Sequence, residues 1–435
     1  MTYDDAIEYL KNLTKFGMNL GLARIEELLR RLGNPQNRLN IIHVGGTNGK
    51  GSTTAMIANI LTSAGYKTGM FSSPHLHHYS ERFMINGQPI TSEKLVALIE
   101  VVKPELTRMV QEGFEHPTEF EVSTALALLY FANEETDFVV LEVGLGGAID
   151  STNIVKPRVA VITNVAMDHM DYLGDTLAEI ARVKAGIIKP DVPIVTAAEA
   201  EPLEIIRQVA WSNHCQLIQI GRDVTWSQVQ RELKQDFQTF IINGQQNTYQ
   251  VKLPLLGAHQ QINAATAVAA VEMLGTEKDH SIPDTAIING LRTVKWPGRL
   301  EIVQNNPTVL LDGAHNHAGA LALKRALRDY FPNRKIVFVL GMLADKERSK
   351  VVAELAPLAK AVVVTRSNNP RAGDWTKLAD DARTYLDEVA VVEAVEEAIQ
   401  KALAQIKEND VLCITGSLYM VAEARSLLKN LRSLK

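Results

Sequence analysis

Cysteine is almost absent from this chain: Cys215 and Cys413 are the only two in 435 residues, and no Cys-x-x-Cys pair occurs. That excludes a thiolate zinc centre and a disulfide-stapled scaffold, and it fits a reducing compartment. No stretch reaches the roughly 18 apolar residues of a membrane span. The opening MTYDDAIEYL is acidic and amphipathic, where a signal peptide is basic and then apolar. Long basic runs are missing too; 45 Lys and Arg against 50 Asp and Glu leave a formal charge of -5, which speaks against a nucleic-acid partner. There are no short tandem repeats or low-complexity segments, so solenoids and flexible linkers drop out. What remains is the composition of an ordinary folded protein, 46% hydrophobic and 22% charged. At roughly 150 residues per domain, it reads as a soluble, cytoplasmic chain of two or three domains.

Residues 3–32 carry apolar side chains at helical spacing and stop at Gly33-Asn34-Pro35, which predicts two helices before the first strand. From residue 40, apolar runs alternate with helical segments: NIIHV at 40, KTGMF at 67, DFVVLEV at 137, RVAVITN at 158 and PIVTA at 193. This is the βαβ rhythm of a parallel sheet. Residues 215–255 change to alternating strand-like runs with Asn243-Gly244 at a hairpin, expected as a small antiparallel addition. Helices are expected over 258–274 and near 283–292. Trp296-Pro297-Gly298-Arg299 then punctuates the chain, and the domain boundary is placed there, giving 1–296 and 297–435. A second βα series follows, TVLLDG at 308, KIVFVLG at 335, AVVVT at 361 and DVLCITG at 410. It predicts a separate α/β domain.

The strongest local signal is the strand NIIHV, followed by Gly45-Gly46-Thr47-Asn48-Gly49-Lys50-Gly51-Ser52 and a helix-forming run. Backbone N–H groups of such a loop and the helix N-terminus wrap phosphate oxygens. Lys50 adds positive charge for the β and γ phosphates, and Ser52 offers a hydroxyl to Mg²⁺. Asn48, Gly49, Lys50, Gly51 and Ser52 are therefore nucleotide-site candidates; the plain alternative is a ligand-free glycine turn. The spacing departs from G-x-x-x-x-G-K-[ST], because Gly51 intervenes between Lys50 and Ser52.

With its departure, GTNGKGS resembles the phosphate loop of the folylpolyglutamate synthases and dihydrofolate synthases, a branch of the Mur-type ATP-dependent amide ligases. SSPHL at 72, ERFMING at 81, LEVGLGG at 141, DSTN at 150, DHMDYLG at 168, KAGIIK at 184, DGAHN at 312 and TGSLY at 415 agree in order, so the resemblance runs nearly end to end. It implies an N-terminal P-loop Mur-ligase-like ATPase domain, a parallel sheet with the antiparallel addition, and a C-terminal Rossmann-like α/β domain.

Glu142 ends one apolar strand and His169 follows the next through a short loop, so both fall at the carboxyl edge beside the phosphate loop. By resemblance they hold Mg²⁺ together with Ser73. Lys184 is an odd cation to set near a metal, and the resemblance implies that it carries a carbamate whose oxygens bind a second Mg²⁺; the alternative is a solvated helix lysine. Arg182-Val183 departs here from the family, which often has Glu one or two places before the lysine. Asn263, Arg299 and Asp312 correspond to residues that touch ATP, and His315 to one near the reaction centre between the domains. Arg82 is assigned to a substrate carboxylate, with an ion pair as alternative, and Ser417 and Tyr419 to glutamate. Glu81 lies in the same string as Arg82, and His75, His77 and His78 read as plain loop residues.

The implied catalytic set is Lys50, Lys184 and His315. ATP and two Mg²⁺ ions are the implied cofactors, with K⁺ left open. A reduced folate, L-glutamate and ATP are the implied partners of a monomer. The reaction is ATP-dependent addition of glutamate to the folate γ-carboxylate through an acyl phosphate; the bifunctional form that also makes dihydrofolate stays open. A phosphate-loop switch protein lacks a second domain with its own DGAHN edge, and a peptidoglycan-type Mur ligase lacks SSPHL, ERFMING and TGSLY together.

Overall fold

The computed structural model describes residues 1–17, 19, 21–230, 236–275, 281–367 and 369–433. The larger sheet has eight strands: β1 (Ile41–Gly45), β2 (Thr68–Phe71), β3 (Phe83–Ile85), β4 (Gln88–Pro89), β5 (Phe138–Glu142), β6 (Val159–Ile162), β7 (Ile194–Thr196) and β8 (Leu217–Gln219). Their order is β4-β3-β2-β5-β1-β6-β7-β8. The run from β2 to β8 is parallel, whereas β3 and β4 add an antiparallel edge. All five apolar runs expected from the sequence are strands of this sheet.

Both faces of the sheet are covered, which explains why β1 and β5 read as mostly apolar runs and not as alternating ones. Ile42 and Val44 pack on one side with the buried faces of helices Lys50–Ser63 and Ala258–Leu274. Ile41, Val139 and Leu141 pack on the other with helices Tyr3–Asn12, Ala23–Arg31, Ser92–Gln111 and Glu119–Asn133. The first and third of these, and the fourth, start on threonine caps: Thr2, Thr91 and Thr118 each accept a backbone N–H of the first turn.

A three-stranded antiparallel sheet, β9 (Thr225–Gln230), β10 (Gln238–Asn243) and β11 (Thr248–Leu253), packs Phe240, Ile242, Tyr249 and Val251 against helix Ala258–Leu274. The hairpin expected at Asn243-Gly244 forms with a loop of residues 244–247, since Asn243 pairs with Thr248. Glycine at 244 makes room for a neighbour: a Cβ there would lie 2.4 Å from the buried Glu272 carboxylate, which would have to shift. That carboxylate accepts the amides of Gln245 and Gln246 and the Tyr249 hydroxyl. The expected antiparallel addition over 215–255 is corrected at its start. Leu217–Gln219 pairs parallel to β7 and belongs to the larger sheet, because three residues leaving a helix on the sheet's open edge find their partner there.

The second α/β unit holds β12 (Glu301–Asn305), β13 (Thr308–Asp312), β14 (Ile336–Leu340), β15 (Ala359–Val364), β16 (Val389–Val391) and β17 (Val411–Thr415), in the order β12-β13-β17-β14-β15-β16. Only β12 is antiparallel. Alternate residues serve opposite layers: Leu310, Phe338 and Val362 face one helical layer, and Val309, Val337 and Val363 the other. The carboxyl ends of β13, β14 and β17 face the carboxyl edge of the larger sheet.

Candidate active site

β1 delivers the phosphate loop at its carboxyl end, and helix Lys50–Ser63 begins at Lys50. Gly46 and Gly49 have φ of +135° and +83°, the left-handed region that side chains rarely adopt. A Cβ on Gly49 would also strike the Asn263 amide at 2.4 Å, and one on Gly51 the Trp296 ring at 2.9 Å. The loop is thus packed against helix Ala258–Leu274 and the segment leading to the second unit. It is tied to the stretch after β6 by Asn48 N–H donating to Asn164 Oδ1 (2.9 Å) and by Thr47 Oγ1 donating to Ala166 O (3.2 Å). The buried Ser52 hydroxyl accepts from Gln260 Nε2 at 3.3 Å. Asn263 donates to Gln260 Oε1 at 3.0 Å.

Lys50 does not reach outward as a loop lysine would. Its ammonium donates to Gly46 O and Thr47 O, both at 3.1 Å, and burial pushes its pKa down. Lys184 lies on helix Leu177–Ala185, which starts at a Thr176/Glu179 capping box. It is 3% exposed, and its Nζ donates to the same Gly46 carbonyl at 2.9 Å. Burial first, and then the Lys50 charge, lower its pKa to about 7. The alternative of a solvated helix lysine does not match this placement.

Glu142 is the last residue of β5, buried, with the Ser73 amide donating to it at 3.3 Å. Burial pushes its carboxyl up to about 7 against the opposing pull of Lys50. His169 caps a short helix with φ of +52°. Burial and then Lys346 lower its pKa to about 4, and its Nε2 lies 3.2 Å from the Lys346 ammonium.

Ser73, Arg82, His169, His315 and Ser417 line one cleft of about 330 Å³, together with Thr118, Phe120, Leu145, Ile149 and Asp150. Arg299 lines an adjoining cavity of about 390 Å³ with Met70, Leu76 and Trp296. His315 donates from Nδ1 to Gly313 O at 2.8 Å when neutral, which leaves Nε2 as the acceptor; burial, followed by Lys346, lowers its pKa to about 4. Asp312 accepts the amides of Leu300 and Ala314, both at 2.9 Å, and so fastens the turn that carries His315. Ser417 is buried and its hydroxyl accepts the Tyr419 amide at 3.3 Å.

Arg82 is held in a buried pair rather than free: it donates to Glu119 (2.9 Å) and His75 (3.1 Å) and stacks over the Tyr79 ring. Of the loop residues, Glu81 accepts the amides of Leu76, His77 and His78, and His77 reaches Arg425 and Ser426 of the C-terminal helix.

Sequence reasoning passed over Asp168, Asn316 and Lys346. Asp168 pairs with Lys346 at 2.8 Å and accepts Asn316 Nδ2 at 2.8 Å. Burial raises its pKa, but Lys346, His169 and His315 together outweigh burial and hold it below the usual carboxylate range. Asp168 and Asn316 sit inside DHMDYLG and DGAHN, so the motifs were their signal; Lys346 stands among other charges in LADKERSK and has none.

The Mur ligase middle domain family matches residues 44–271, and the glutamate ligase domain of the Mur ligases matches residues 298–418. A dihydrofolate synthase/folylpolyglutamate synthase from Bacillus subtilis is 39% identical over 430 residues, covering 98% of this chain and 99% of the relative. Folylpolyglutamate synthase from Mycobacterium tuberculosis complexed with ADP superposes with a TM-score of 0.91 at 33% identity, over 98% of this chain and 99% of that one. The Escherichia coli protein in complex with DHPP and ADP gives 0.88 at 31% identity, over 99% of each. The chain belongs to the folylpolyglutamate synthase/dihydrofolate synthase family of ATP-dependent glutamate ligases, built from Mur ligase middle and C-terminal domains.

Proposed function

We propose that this chain adds L-glutamate to the γ-carboxylate of a reduced folate at the expense of ATP, in the cleft between a domain of residues 1–296 and one of residues 297–435. The observation that carries this reading is the meeting of two sheet edges. Lys50, Glu142, His169 and Lys184 stand on one, and the DGAHN turn with Asn316 and Lys346 stands on the other, joined by the Asp168–Lys346 pair.

The substrate carboxylate attacks the γ-phosphorus of ATP; an O–P bond forms, ADP leaves, and an acyl phosphate results. The α-amine of glutamate then attacks the acyl carbon, the C–N bond forms, inorganic phosphate leaves, and the amine gives up a proton. His315 offers its unprotonated Nε2 to that proton. Lys50 neutralises phosphoryl charge, and the contacts between the domains exclude water from the acyl phosphate.

Magnesium supplies charge neutralisation at the transferring phosphate when bound. Glu142 fits such an ion, as a buried carboxylate with one long amide contact. Ser52, Ser73 and the neutral His169 complete a hard donor set. Among the described residues no three His, Cys, Asp or Glu side chains are arranged to hold a metal ion by themselves, so hydroxyls and nucleotide phosphates must fill the remaining positions. Lys184 suits a carbamate: a pKa near 7 leaves much of its amine neutral, the form that combines with CO₂. Asn263, Arg299 and Asp312 are assigned to the nucleotide, Arg82 and Ser417 to the substrates.

Both halves of the site come from one chain, which suits a monomer. Among the described residues no helix is long and apolar enough to cross a membrane, and we place the enzyme in the cytoplasm. Since the Bacillus subtilis relative carries both activities in its name, dihydropteroate is the second acyl substrate to test. Purified protein is incubated with Mg-ATP and glutamate plus either a reduced folate or dihydropteroate, and products are weighed by mass spectrometry. Gain of a glutamyl residue on the folate supports the reading; no gain on either substrate refutes it.

A further inference from the structure

Asn316 is 3% exposed and uses its whole side-chain amide at the contact between the two units. Its Oδ1 accepts the Gly319 amide at 2.8 Å, capping helix His317–Tyr330, and also accepts Asn48 Nδ2 at 3.2 Å. Its Nδ2 donates to Asn48 Oδ1 at 3.0 Å and to Asp168 Oδ2 at 2.8 Å. Two donors and two acceptor positions are all an asparagine has, and all four are used. The same Asp168 carboxylate takes Lys346 on its other oxygen at 2.8 Å. One C-terminal side chain therefore touches the phosphate loop two residues before Lys50 and the loop one residue before His169.

We propose that Asn316 is a positioning residue for the ligase reaction: through Asn48 and Asp168 it fixes the register in which the C-terminal domain closes on the phosphate loop, so that the acyl phosphate meets glutamate and not water. The inference rests on the ligase reading for what closure protects, while the closure itself is a property of the chain. The requirement for asparagine follows from the donors. Aspartate has the same size and caps a helix as well, but it lacks the N–H groups and sets a second carboxylate against Asp168.

N316D tests this in the full-length enzyme. Its cap is expected to be retained, and its melting temperature to fall by no more than the lost contacts and the second carboxylate require. Its KM for glutamate is expected to rise roughly tenfold, as two interdomain hydrogen bonds are lost, one of them to a charged group. Phosphate released per glutamate incorporated is expected to rise above the wild-type ratio, with affinity for a non-hydrolysable ATP analogue held within about threefold. N316D/D168N, which exchanges donor and acceptor, is expected to bring the ratio back toward wild type. Closure is read separately by small-angle scattering: with the ATP analogue, N316D should keep a larger radius of gyration than wild type. Wild-type coupling, KM and scattering in N316D overturn the proposal, as does loss of analogue binding with an unchanged ratio. If N316D does not fold, N316S, whose hydroxyl also caps but does not span to Asp168, is judged by the same readings. A wild-type enzyme that incorporates no glutamate, beside an N316D that stays extended, removes the ligase reading and leaves the positioning role standing.

Discussion

Lys184 provides the sharpest test of how the site stores charge. A buried ammonium sharing the Gly46 carbonyl with Lys50 has a pKa of about 7 against the ordinary 10.5. That gap corresponds to roughly 5 kcal/mol at about 1.4 kcal/mol per pH unit. The sign follows from proton counts. Below pH 7 the lysine is charged folded and unfolded, and folding bears the full cost. Between pH 7 and 10.5 the unfolded chain holds a proton that the folded chain has shed, so stability rises with pH. Lys184→Met removes this dependence and orphans nothing, because Gly46 O keeps the Lys50 ammonium at 3.1 Å.

The Met variant should therefore be more stable than wild type at pH 6.5, by roughly 2 to 5 kcal/mol once some water reaches the wild-type amine, with the difference shrinking toward pH 9. The assay is urea unfolding of nucleotide-free protein in CO₂-free buffers across that range. Adding bicarbonate to samples that already hold Mg²⁺ and nucleotide should stabilise wild type further and leave the variant unmoved. Parallel curves, or a variant less stable than wild type at pH 6.5, would refute the reasoning.

Lys50→Met should lower ATP turnover by roughly 10²-fold or more in a variant that still unfolds cooperatively, read by phosphate release and calorimetry; near-normal turnover removes the phosphate-loop assignment. A Glu142 carboxyl near pH 7 must lose its proton before it takes a cation. The half-saturating Mg²⁺ concentration should accordingly rise by up to about tenfold per pH unit below 7, and Glu142→Gln should flatten that dependence, as magnesium titrations at several pH values will show. Gly244→Ala drives a Cβ into the Glu272 carboxylate and should cost about 1 to 3 kcal/mol in denaturant unfolding without altering nucleotide affinity; an unshifted midpoint would mean the hairpin yields.

Strands buried on both faces were legible because burial writes itself as mostly apolar runs: β1, β5, β13, β14 and β17 are dominated by Ile, Val and Leu and buried at every position. The edges were not. β12 is EIVQN, half-buried along its length, and β16 is VAV beside solvent, so neither carries a run long enough to separate from a loop. β8 shows a different gap, since its three residues alternate correctly and only the free edge of β7 decides the direction in which they pair. At the site, residues inside motifs could be named one by one, but pairings across more than a hundred positions have no local trace. Nothing near Lys346 announces that its partner is Asp168.

Four groups of the proposed site share one property that no motif states. Lys184 and Glu142 sit near 7, and His169 and His315 near 4. Burial has moved each toward its neutral form, so the empty site sheds charge in both directions. On the proposed reading, a polyanionic nucleotide with divalent cations meets these groups in different ways: phosphates favour the ammonium of Lys50, a cation favours the carboxylate of Glu142, and the neutral Lys184 and His169 are the forms that take CO₂ and a cation. On that reading, the groups that weaken the free protein are the ones that bind. Free energy withheld from folding returns on ligation, where ligand bound to the native state alone adds to stability in proportion to RT ln(1 + [L]/Kd). This is why the same burial that isolates Lys184 from solvent makes it fit for chemistry, and why the two domains must close before that chemistry is safe from water.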